Sequence, residues 1–229
     1  MDRYKSSKNS NSYVAIGDIH GCIKSLEVLM ADLLAQFGTN RIYVFLGDYV
    51  DRGPHSKEVI DYLIALERDY SCVFLRGNHD AMLLNYIKDK TWLKWFENGG
   101  TATMESYRKA LGKEQIPLEH LRFFTSTRLF YDTPEYFFVH GGPPIDRPIS
   151  DSIQNESLYS SFLWSTDHLN STYNQWEKTV IFGHSPVRSP IQGVNMIGID
   201  TGCVYPQFGK LTAVSLPERD FFQQKRIDF

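Results

Sequence analysis

The chain has 229 residues, of which 42% are hydrophobic and 14% aromatic, which is enough for one folded domain with a sizeable core. Its formal net charge of −3 excludes the strongly basic class of proteins that bind nucleic acid or anionic membranes electrostatically. No apolar run reaches the length of about 18 residues that suggests a membrane span, and three scattered cysteines without an apolar leader predict a reduced, cytoplasmic protein.

The chain begins with a polar stretch and then becomes regular. Residues 1–12 read MDRYKSSKNSNS, which has too few apolar groups to pack, so we expect a disordered tail. Residues 13–229 contain no linker, repeat or low-complexity segment. We therefore expect them to form a single domain.

Six short runs of β-branched and aromatic residues predict strands, and their lack of polar alternation indicates strands buried on both faces. They are Tyr13–Ile16, Ile42–Leu46, Cys72–Leu75, Tyr136–Val139, Thr179–Phe182 and Met196–Ile199. An apolar stripe of helical period runs from Ile23 to Phe37, between the first two strands, and ends at Gly38. A second helix, with Ser56 as its N-cap, lies before the third strand. Strands that alternate with helices predict an α/β fold with parallel pairing.

The remaining segments carry weaker signals. Residues 80–127 are expected to be helical, with a turn at Trp92–Phe96 and a loop at Asn98–Gly100. Residues 143–175 are polar and are expected to be irregular. For Phe221–Phe229 the sequence favours neither a docked nor a free segment.

Each predicted strand is followed by a short polar loop that contains glycine. In chain order the loops read GDIHG, GDYVDRG, GNHD, HGG, GHS and DTG. Asp18, Asp48 and Asn78 are each 30 residues apart, which is about the length of one βαβ unit. Because ligands of α/β sheets bind beyond the carboxyl ends of parallel strands, we expect these side chains to converge on one site.

The loops supply oxygen and imidazole donors and no thiolate. The candidate donors are Asp18, His20, Asp48, Asn78, His140 and His184. Mixed carboxylate and imidazole shells suit Mn, Fe or Zn, and six donors suffice for two divalent ions if one carboxylate bridges them. The alternative is that each histidine is an ordinary structural residue, as we expect for His55, His120 and His168.

In this order and spacing, GDIHG, GDYVDRG, GNHD, HGG and GHS resemble the phosphoprotein phosphatase family of metallophosphoesterases. The resemblance is greatest to its small prokaryotic and phage members, such as bacteriophage lambda phosphatase and the dinucleoside tetraphosphatases. It extends from Tyr13 to about Val214. It implies a calcineurin-like metallophosphoesterase catalytic domain, with a central β-sandwich of mixed sheets flanked by helices.

The resemblance also implies a dimetal centre. A first metal would be held by Asp18 and His20, a second by Asn78, His140 and His184, and Asp48 would bridge the two. The reaction implied is hydrolysis of a phosphate ester by direct attack of a hydroxide held between the two ions.

Three further residues take catalytic roles by resemblance. His79 would be the general acid, Asp51 would orient His79 and favour its protonated form, and Arg52 would bind phosphoryl oxygens with its planar fork. Substrate would also contact Asn78 and His79, and Tyr205 is a further candidate for the substrate groove.

One position departs from the family pattern. A second phosphate-binding arginine is expected soon after a Leu-Trp pair, but Thr166 stands there in this chain. Arg147 and Arg188 are candidates to replace it, and the alternative is that both are solvated loop residues. Asn98–Gly100 resembles a loop near the substrate in small prokaryotic members, or else caps a helix.

The leading hypothesis is a metal-dependent serine/threonine-type protein phosphatase, which would act on phosphoproteins. The alternative is a hydrolase of dinucleoside polyphosphates (Ap4A-type) or of another small phosphorylated molecule. A third hypothesis is an inactive relative that serves as a binding module. No nucleotide P-loop or Rossmann glycine motif is present. We expect no nucleic-acid or membrane partner. The sequence does not indicate an oligomeric state.

Overall fold

The computed structural model describes residues 12–90 and 93–229. Most of the predicted tail, residues 1–11, and the beginning of the predicted turn at Trp92–Phe96 lie outside the described residues. The elements in chain order are β1 (Tyr13–Ile16), α1 (Ile23–Phe37), β2 (Ile42–Phe45), α2 (Ser56–Leu66), β3 (Cys72–Phe74), α3 (Asn78–Lys88), α4 (Thr101–Leu111), α5 (Leu118–Ser126), β4 (Phe130–Asp132), β5 (Tyr136–Val139), α6 (Ile149–Ile153), α7 (Tyr159–Trp164), β6 (Thr179–Phe182), β7 (Ile191–Gln192), β8 (Met196–Gly198), β9 (Lys210–Leu216) and β10 (Phe221–Lys225).

The strands form two five-stranded mixed sheets. The first has the order β10-β9-β1-β2-β3, and the second has the order β4-β5-β6-β8-β7. Strands β1, β2 and β3 pair in parallel, as do β5, β6 and β8, while β9, β10, β4 and β7 pair antiparallel to their neighbours. The predicted α/β sandwich is confirmed, and all six predicted strands are present.

Four strands were not predicted from the sequence, namely β4, β7, β9 and β10. Strand β9 is almost wholly buried, but Thr212 and Ser215 interrupt its apolar run. Thr212 can lie inside the sheet because its hydroxyl lies 2.5 Å from that of Thr201. The other three lie at sheet edges or contain exposed polar residues, so they lack the signal of a strand buried on both faces.

The side chains of β1 show why its sequence does not alternate. Tyr13 and Ala15 face a core between the two sheets, whereas Val14 and Ile16 face a core under the helices α1 and α2. Both faces are therefore covered by apolar neighbours, and all four side chains are buried. This layering holds the carboxyl ends of the parallel strands rigidly in place.

Three local predictions are corrected. Ser56 is not the N-cap of α2 but its first helical residue, because its hydroxyl turns inward, to 3.1 Å from the Thr103 hydroxyl. Asn98–Gly100 is not a plain loop, since Phe96–Gly100 forms a π-helical turn in which only Gly99 leaves helical geometry. Residues 143–175 are not wholly irregular: they contain α6, α7 and two short 3₁₀ helices, stabilised by buried Ile149 and Phe162.

The end of the chain is docked on the body. Asp228 accepts hydrogen bonds from the backbone N–H groups of Lys24 (2.7 Å) and Ser25 (3.2 Å), and also from the Ser25 hydroxyl. The N–H groups in the first turn of a helix have no partner within the helix, and the N-cap residue Cys22 makes no side-chain hydrogen bond to them, so Asp228 satisfies two of these donors in α1. Within the described residues, no helix combines the length and apolar character needed to cross a bilayer.

His168, expected to be an ordinary loop or helix residue, lies in a short 3₁₀ helix and is buried. Neither ring nitrogen has a hydrogen-bond partner among the described residues, and the ring lies edge-on to Phe182 with 4.4 Å between ring centroids. Burial lowers the pKa of His168 to about 4. The ordinary value is about 6.5, so the folded protein resists a proton that the unfolded chain accepts.

We expect this histidine to make the fold sensitive to acid. As the pH falls from about 6.5 toward about 4, only the unfolded chain gains the proton, and stability is lost. Between pH 7 and pH 5 the loss should be about 2 kcal/mol. The free energy of unfolding of wild type and of His168→Leu is measured in urea at pH 7 and at pH 5. The loss is the change, between the two pH values, in the difference between the two proteins. A pH-independent difference would contradict the prediction.

Candidate active site

The candidate site lies where the two sheets meet, at the carboxyl ends of five parallel strands. Loops after β1, β2 and β3 come from the first sheet, and loops after β5 and β6 come from the second. Contacts join the sheets directly: the His184 N–H donates to the Asp18 carboxylate at 3.1 Å, and His140 Nδ1 lies 2.9 Å from the Leu46 carbonyl oxygen. The structure thus brings together loops that are up to 166 residues apart in the sequence.

The donor atoms form two groups that share one carboxylate. Asp18, Asp48 and His140 form one group, and His20, Asp48 and His79 form the other, with the donor atoms of each group within 4.8 Å of one another. Asp48 Oδ2 lies 3.4 Å from Nε2 of both His20 and His140. Asp18 and His20, predicted to share a metal, fall in different groups, while Asp48 has the central position that a bridging carboxylate needs.

Asn78 lies beside His140 and His184, the other two residues predicted to hold the second metal. Its side-chain oxygen lies 2.8 Å from His140 Nε2 and 3.0 Å from His184 Nδ1. All six predicted donors therefore lie in one connected cluster. Five of them are almost fully buried, and His184 is half-buried at its opening.

The histidines are oriented as metal ligands usually are. The Nδ1 atoms of His20 and His140 are 2.7 and 2.9 Å from the backbone carbonyls of Val50 and Leu46. Donation of the Nδ1 proton to a carbonyl leaves Nε2 as a lone-pair donor toward the cluster. Burial lowers the pKa of His20 to about 3 and that of His184 to about 4, so both rings are neutral near pH 7.

The carboxylates carry charge that the protein only partly balances. Burial opposes ionisation of Asp48, but neighbouring histidines, above all His140, hold the pKa of Asp48 well below its usual range. Burial likewise disfavours a charge on His140, yet Asp48 raises the His140 pKa to about 10. Burial first, and then the charge of Asp200, raise the pKa of Asp18 well above its usual range. Oxygen and imidazole donors around crowded acids fit divalent cations.

The backbone of the site is held in a sparsely populated conformation. The described chain has six non-glycine residues with positive φ, and five lie in the motifs of this site. They are His20, Asp48, Asp51, Arg52 and His184. Such conformations cost on the order of 1 kcal/mol or more each and persist where the surrounding structure enforces them. The tight turns aim the side chains inward at the expense of stability.

Asp80, which the sequence analysis did not single out, supports the bridging position. Its carboxylate accepts hydrogen bonds from the backbone N–H groups of Asp48 (2.9 Å), Tyr49 (3.2 Å) and Gly77 (2.8 Å). It therefore joins the loops after β2 and β3. Its place as the last residue of GNHD was the one sequence signal that could have identified it.

His79 and Asp51 form a buried pair. His79 Nδ1 lies 2.7 Å from Asp51 Oδ2, and the Asp51 carboxylate also accepts hydrogen bonds from the Trp95 indole (2.8 and 2.9 Å) and the Thr103 hydroxyl (2.7 Å). Trp95 and Thr103 together donate three hydrogen bonds that fix the orientation of Asp51, which in turn fixes the His79 ring. Trp95 and Thr103 had no motif that could identify them.

Burial is the largest influence on the proton of this pair, and it lowers the His79 pKa to about 4. That Asp51 orients His79 and favours its protonated form stays a prediction. Burial also raises the Asp51 pKa to about 8. At pH values between these two pKa values, His79 and Asp51 together hold one titratable proton and carry no net charge. That proton belongs to the pair rather than to either residue alone.

Arg52 lies at the opening of the cluster. Its Nη1 donates to His20 Nε2 at 2.8 Å, and its guanidinium carbon lies 5.3 Å from the centroid of the Tyr205 ring. Its backbone N–H donates to the Gly99 carbonyl at 3.2 Å. The structure thus places Tyr205 and the Asn98–Gly100 turn beside Arg52.

We expect Gly99→Ala to damage the site through Arg52. Gly99 has a φ of +108°, and an added Cβ would lie 2.8 Å from Arg52 Cγ and 3.0 Å from its backbone nitrogen. Displacing Arg52 should lower kcat/KM about tenfold or more. Gly112→Ala is the matched control, because its φ is also positive (+71°) but the added Cβ meets no described atom within 4 Å. Both variants should lose stability, and equal kcat/KM in the two would refute the argument.

The candidates to supply the arginine that is missing at Thr166 are Arg147 and Arg188. Arg147 is partly exposed and pairs with the adjacent Asp146 at 2.9 Å, and Arg188 is exposed. Neither lines the cavity beside Arg52.

The comparisons with known proteins agree on the family. The model of the calcineurin-like phosphoesterase family matches residues 12–217, which covers every motif of the site. The resemblance seen in the motifs is therefore confirmed at the level of the family, whose members hydrolyse phosphoesters at a dimetal centre.

Curated relatives match along most of the chain. An asymmetrical bis(5'-nucleosyl)-tetraphosphatase PrpE from Oceanobacillus iheyensis is 29% identical, covering 90% of this chain and 89% of the relative. The protein of the same name from Bacillus subtilis is 27% identical, covering 94% and 98%.

Solved structures share the fold. A crystal structure of a candidate diadenosine tetraphosphatase has a TM-score of 0.69 and 24% identity, covering 97% of this chain and 96% of its own. A serine/threonine phosphatase from Saccharomyces cerevisiae has a TM-score of 0.62 and 17% identity, covering 98% and 82%. Both identities are below 25%, so these likenesses speak to the fold alone.

Proposed function

The chain belongs to the calcineurin-like phosphoesterase family, and from that premise we propose that it is a metal-dependent hydrolase of dinucleoside polyphosphates. The observation that carries this proposal is the match to asymmetrical tetraphosphatases along about 90% of the chain. Serine/threonine phosphatases, the class first expected from the motifs, appear as a fold likeness at 17% identity. The relatives therefore favour the alternative hypothesis over the leading one.

The reaction breaks one phosphoanhydride bond. Water adds to a terminal phosphorus of the bridge between two nucleosides, and the bond to the next bridging oxygen breaks. Asymmetrical cleavage of a dinucleoside tetraphosphate then gives one nucleoside monophosphate and one nucleoside triphosphate. The departing oxygen leaves with a negative charge that a proton or a cation must stabilise.

The residues present fit two divalent ions, on the evidence of the donor set described above. We assign Asp18, His20, Asp48, Asn78, His140 and His184 as their ligands. When bound, the ions would supply Lewis acidity, which lowers the pKa of water and neutralises charge on phosphoryl oxygens.

The protein's own groups perform the remaining tasks. Arg52 is at the opening of the cluster and can donate two hydrogen bonds to one phosphoryl group. His79 holds its ring edge-on to His20, with 4.8 Å between ring centroids, and its Nδ1 is committed to Asp51. We therefore assign His79 Nε2 as the atom that passes a proton to the departing oxygen.

The proposal is tested with purified protein that has been stripped of metal and supplied with Mn²⁺. Diadenosine tetraphosphate and a phosphoserine peptide are offered in parallel, with Asp48→Asn as the inactive control. Formation of AMP and ATP in equal amounts, with little phosphate released from the peptide, is the expected result. Phosphate release from the peptide alone would overturn the proposal in favour of a protein phosphatase. Inactivity on both substrates, with metal bound, would overturn both hypotheses.

A further inference from the structure

A cavity of about 630 Å³ opens beside Arg52. Its lining includes Arg52, Tyr205 and the Asn98–Gly99 turn, together with Arg226 and Phe229 from the last residues of the sequence. Its volume is typical of sites for small molecules. It is continuous with the candidate active site because Arg52 belongs to both.

The chain end that lines this cavity is held firmly. The Arg226 N–H donates to the Gly209 carbonyl at 2.8 Å, and the Arg226 guanidinium donates to the Val204 carbonyl, also at 2.8 Å. Two residues later, Asp228 is anchored to the first turn of α1, as described above. These contacts fix residues on both sides of position 227, so Arg226 and Phe229 have defined places in the cavity wall.

Two pairs of residues in the cavity lining repeat one arrangement, a guanidinium over an aromatic ring. Arg52 lies 5.3 Å from the Tyr205 ring centroid, and Arg226 lies 4.6 Å from that of Phe229. The Phe229 side is open, since this residue is 69% exposed. Guanidinium groups bind phosphate oxygens, and exposed aromatic faces stack on nucleobases. One chemical class, a nucleotide, uses both features at once.

Building on the proposed function, we infer that this cavity binds the nucleotide portion of the substrate that lies away from the attacked phosphorus. Arg226 binds its phosphate chain, and Phe229 and Tyr205 provide aromatic faces for its base. The second cationic group that Thr166 does not supply thus comes from the docked chain end. Substrates with a base at this distance from the attacked phosphorus are preferred over simple phosphate esters.

The test compares two substrates in two variants. Phe229→Ala and Arg226→Gln are each assayed with diadenosine tetraphosphate and with p-nitrophenyl phosphate, which has no nucleoside. We expect the ratio of the two kcat/KM values to fall about tenfold in each variant, through a higher KM for the dinucleotide. Tyr173→Ala, at an exposed position, and Arg147→Gln, at a partly exposed one, both lie outside the cavity lining; they are the matched controls and should leave the ratio unchanged.

A binding measurement separates this inference from the proposed function. Calorimetry with metal-free protein should show that ATP binds more tightly than inorganic tripolyphosphate, and that Phe229→Ala removes the difference. If wild type cleaves the dinucleotide and both variants keep the wild-type ratio, the cavity assignment is wrong while the function stands. If wild type does not cleave it but prefers ATP through Phe229, the function is wrong while the cavity assignment stands. Equal binding of ATP and tripolyphosphate to wild type would overturn the assignment.

Discussion

Asp48→Asn should reduce kcat/KM by about 1,000-fold or more, because Asp48 is the carboxylate shared by both donor groups. The side chain is buried, and its Oδ1 accepts the His79 backbone N–H at 2.9 Å. Asparagine has nearly the same shape and can retain that hydrogen bond, but it carries no charge. The loss should therefore reflect weakened metal binding rather than a collapsed loop.

Two measurements check this explanation. Bound Mn²⁺ per chain, determined after equilibrium dialysis, should fall along with kcat/KM. Asp32→Asn, at an exposed position on α1, is the control and should match wild type in both. An Asp48→Asn protein that retained full metal content and full turnover would show that Asp48 does not bridge.

His79→Asn should lower kcat by roughly 10²–10⁴, the usual contribution of a general acid, while the content of bound metal stays at the wild-type level. The buried pair with Asp51 leaves Nε2 as the ring atom free to serve substrate. Asparagine cannot pass a proton in this way. The loss should be greatest where the departing group is most basic.

The dependence on the departing group distinguishes an acid from a structural residue. Across a series of aryl phosphates, the loss caused by His79→Asn should grow as the pKa of the departing phenol rises. Asp51→Asn should show a smaller loss of the same kind, because it removes the orienting partner and leaves the imidazole. A loss in His79→Asn that is equal for all departing groups would assign His79 to positioning alone.

Much of the fold could be predicted because its signals are local. The six parallel-core strands and α1 follow from runs and periods of apolar residues, which report burial without reference to distant contacts. Strand β9 could not be predicted in this way. Thr212, which interrupts its apolar run, can be buried because its hydroxyl finds a partner on Thr201, eleven residues earlier.

The sequence by itself determined the chemical character of the site. Donor residues in glycine-flanked loops, three of them at intervals of 30 residues, specify which side chains follow successive parallel strands. That set of oxygen and imidazole donors indicated a divalent metal site, and the resemblance of the motifs to those of metallophosphoesterases implied phosphoester chemistry. Spacing carries this information because successive strand–helix units connect in the same way, so residues at equal intervals follow the ends of successive parallel strands.

Only the tertiary structure decided what surrounds those donors. Trp95 meets Asp51 from 44 residues away, and Asp228 meets Ser25 from 203 residues away. Neither contact has a motif, since a donor and an acceptor pair wherever the packed layers bring them within reach. For the same reason the cavity formed by Arg52, Tyr205, Arg226 and Phe229 exists only after the chain end has docked on α1. In this proposal, substrate preference depends on such contacts between residues far apart in the sequence, whereas the type of reaction depends on the motifs.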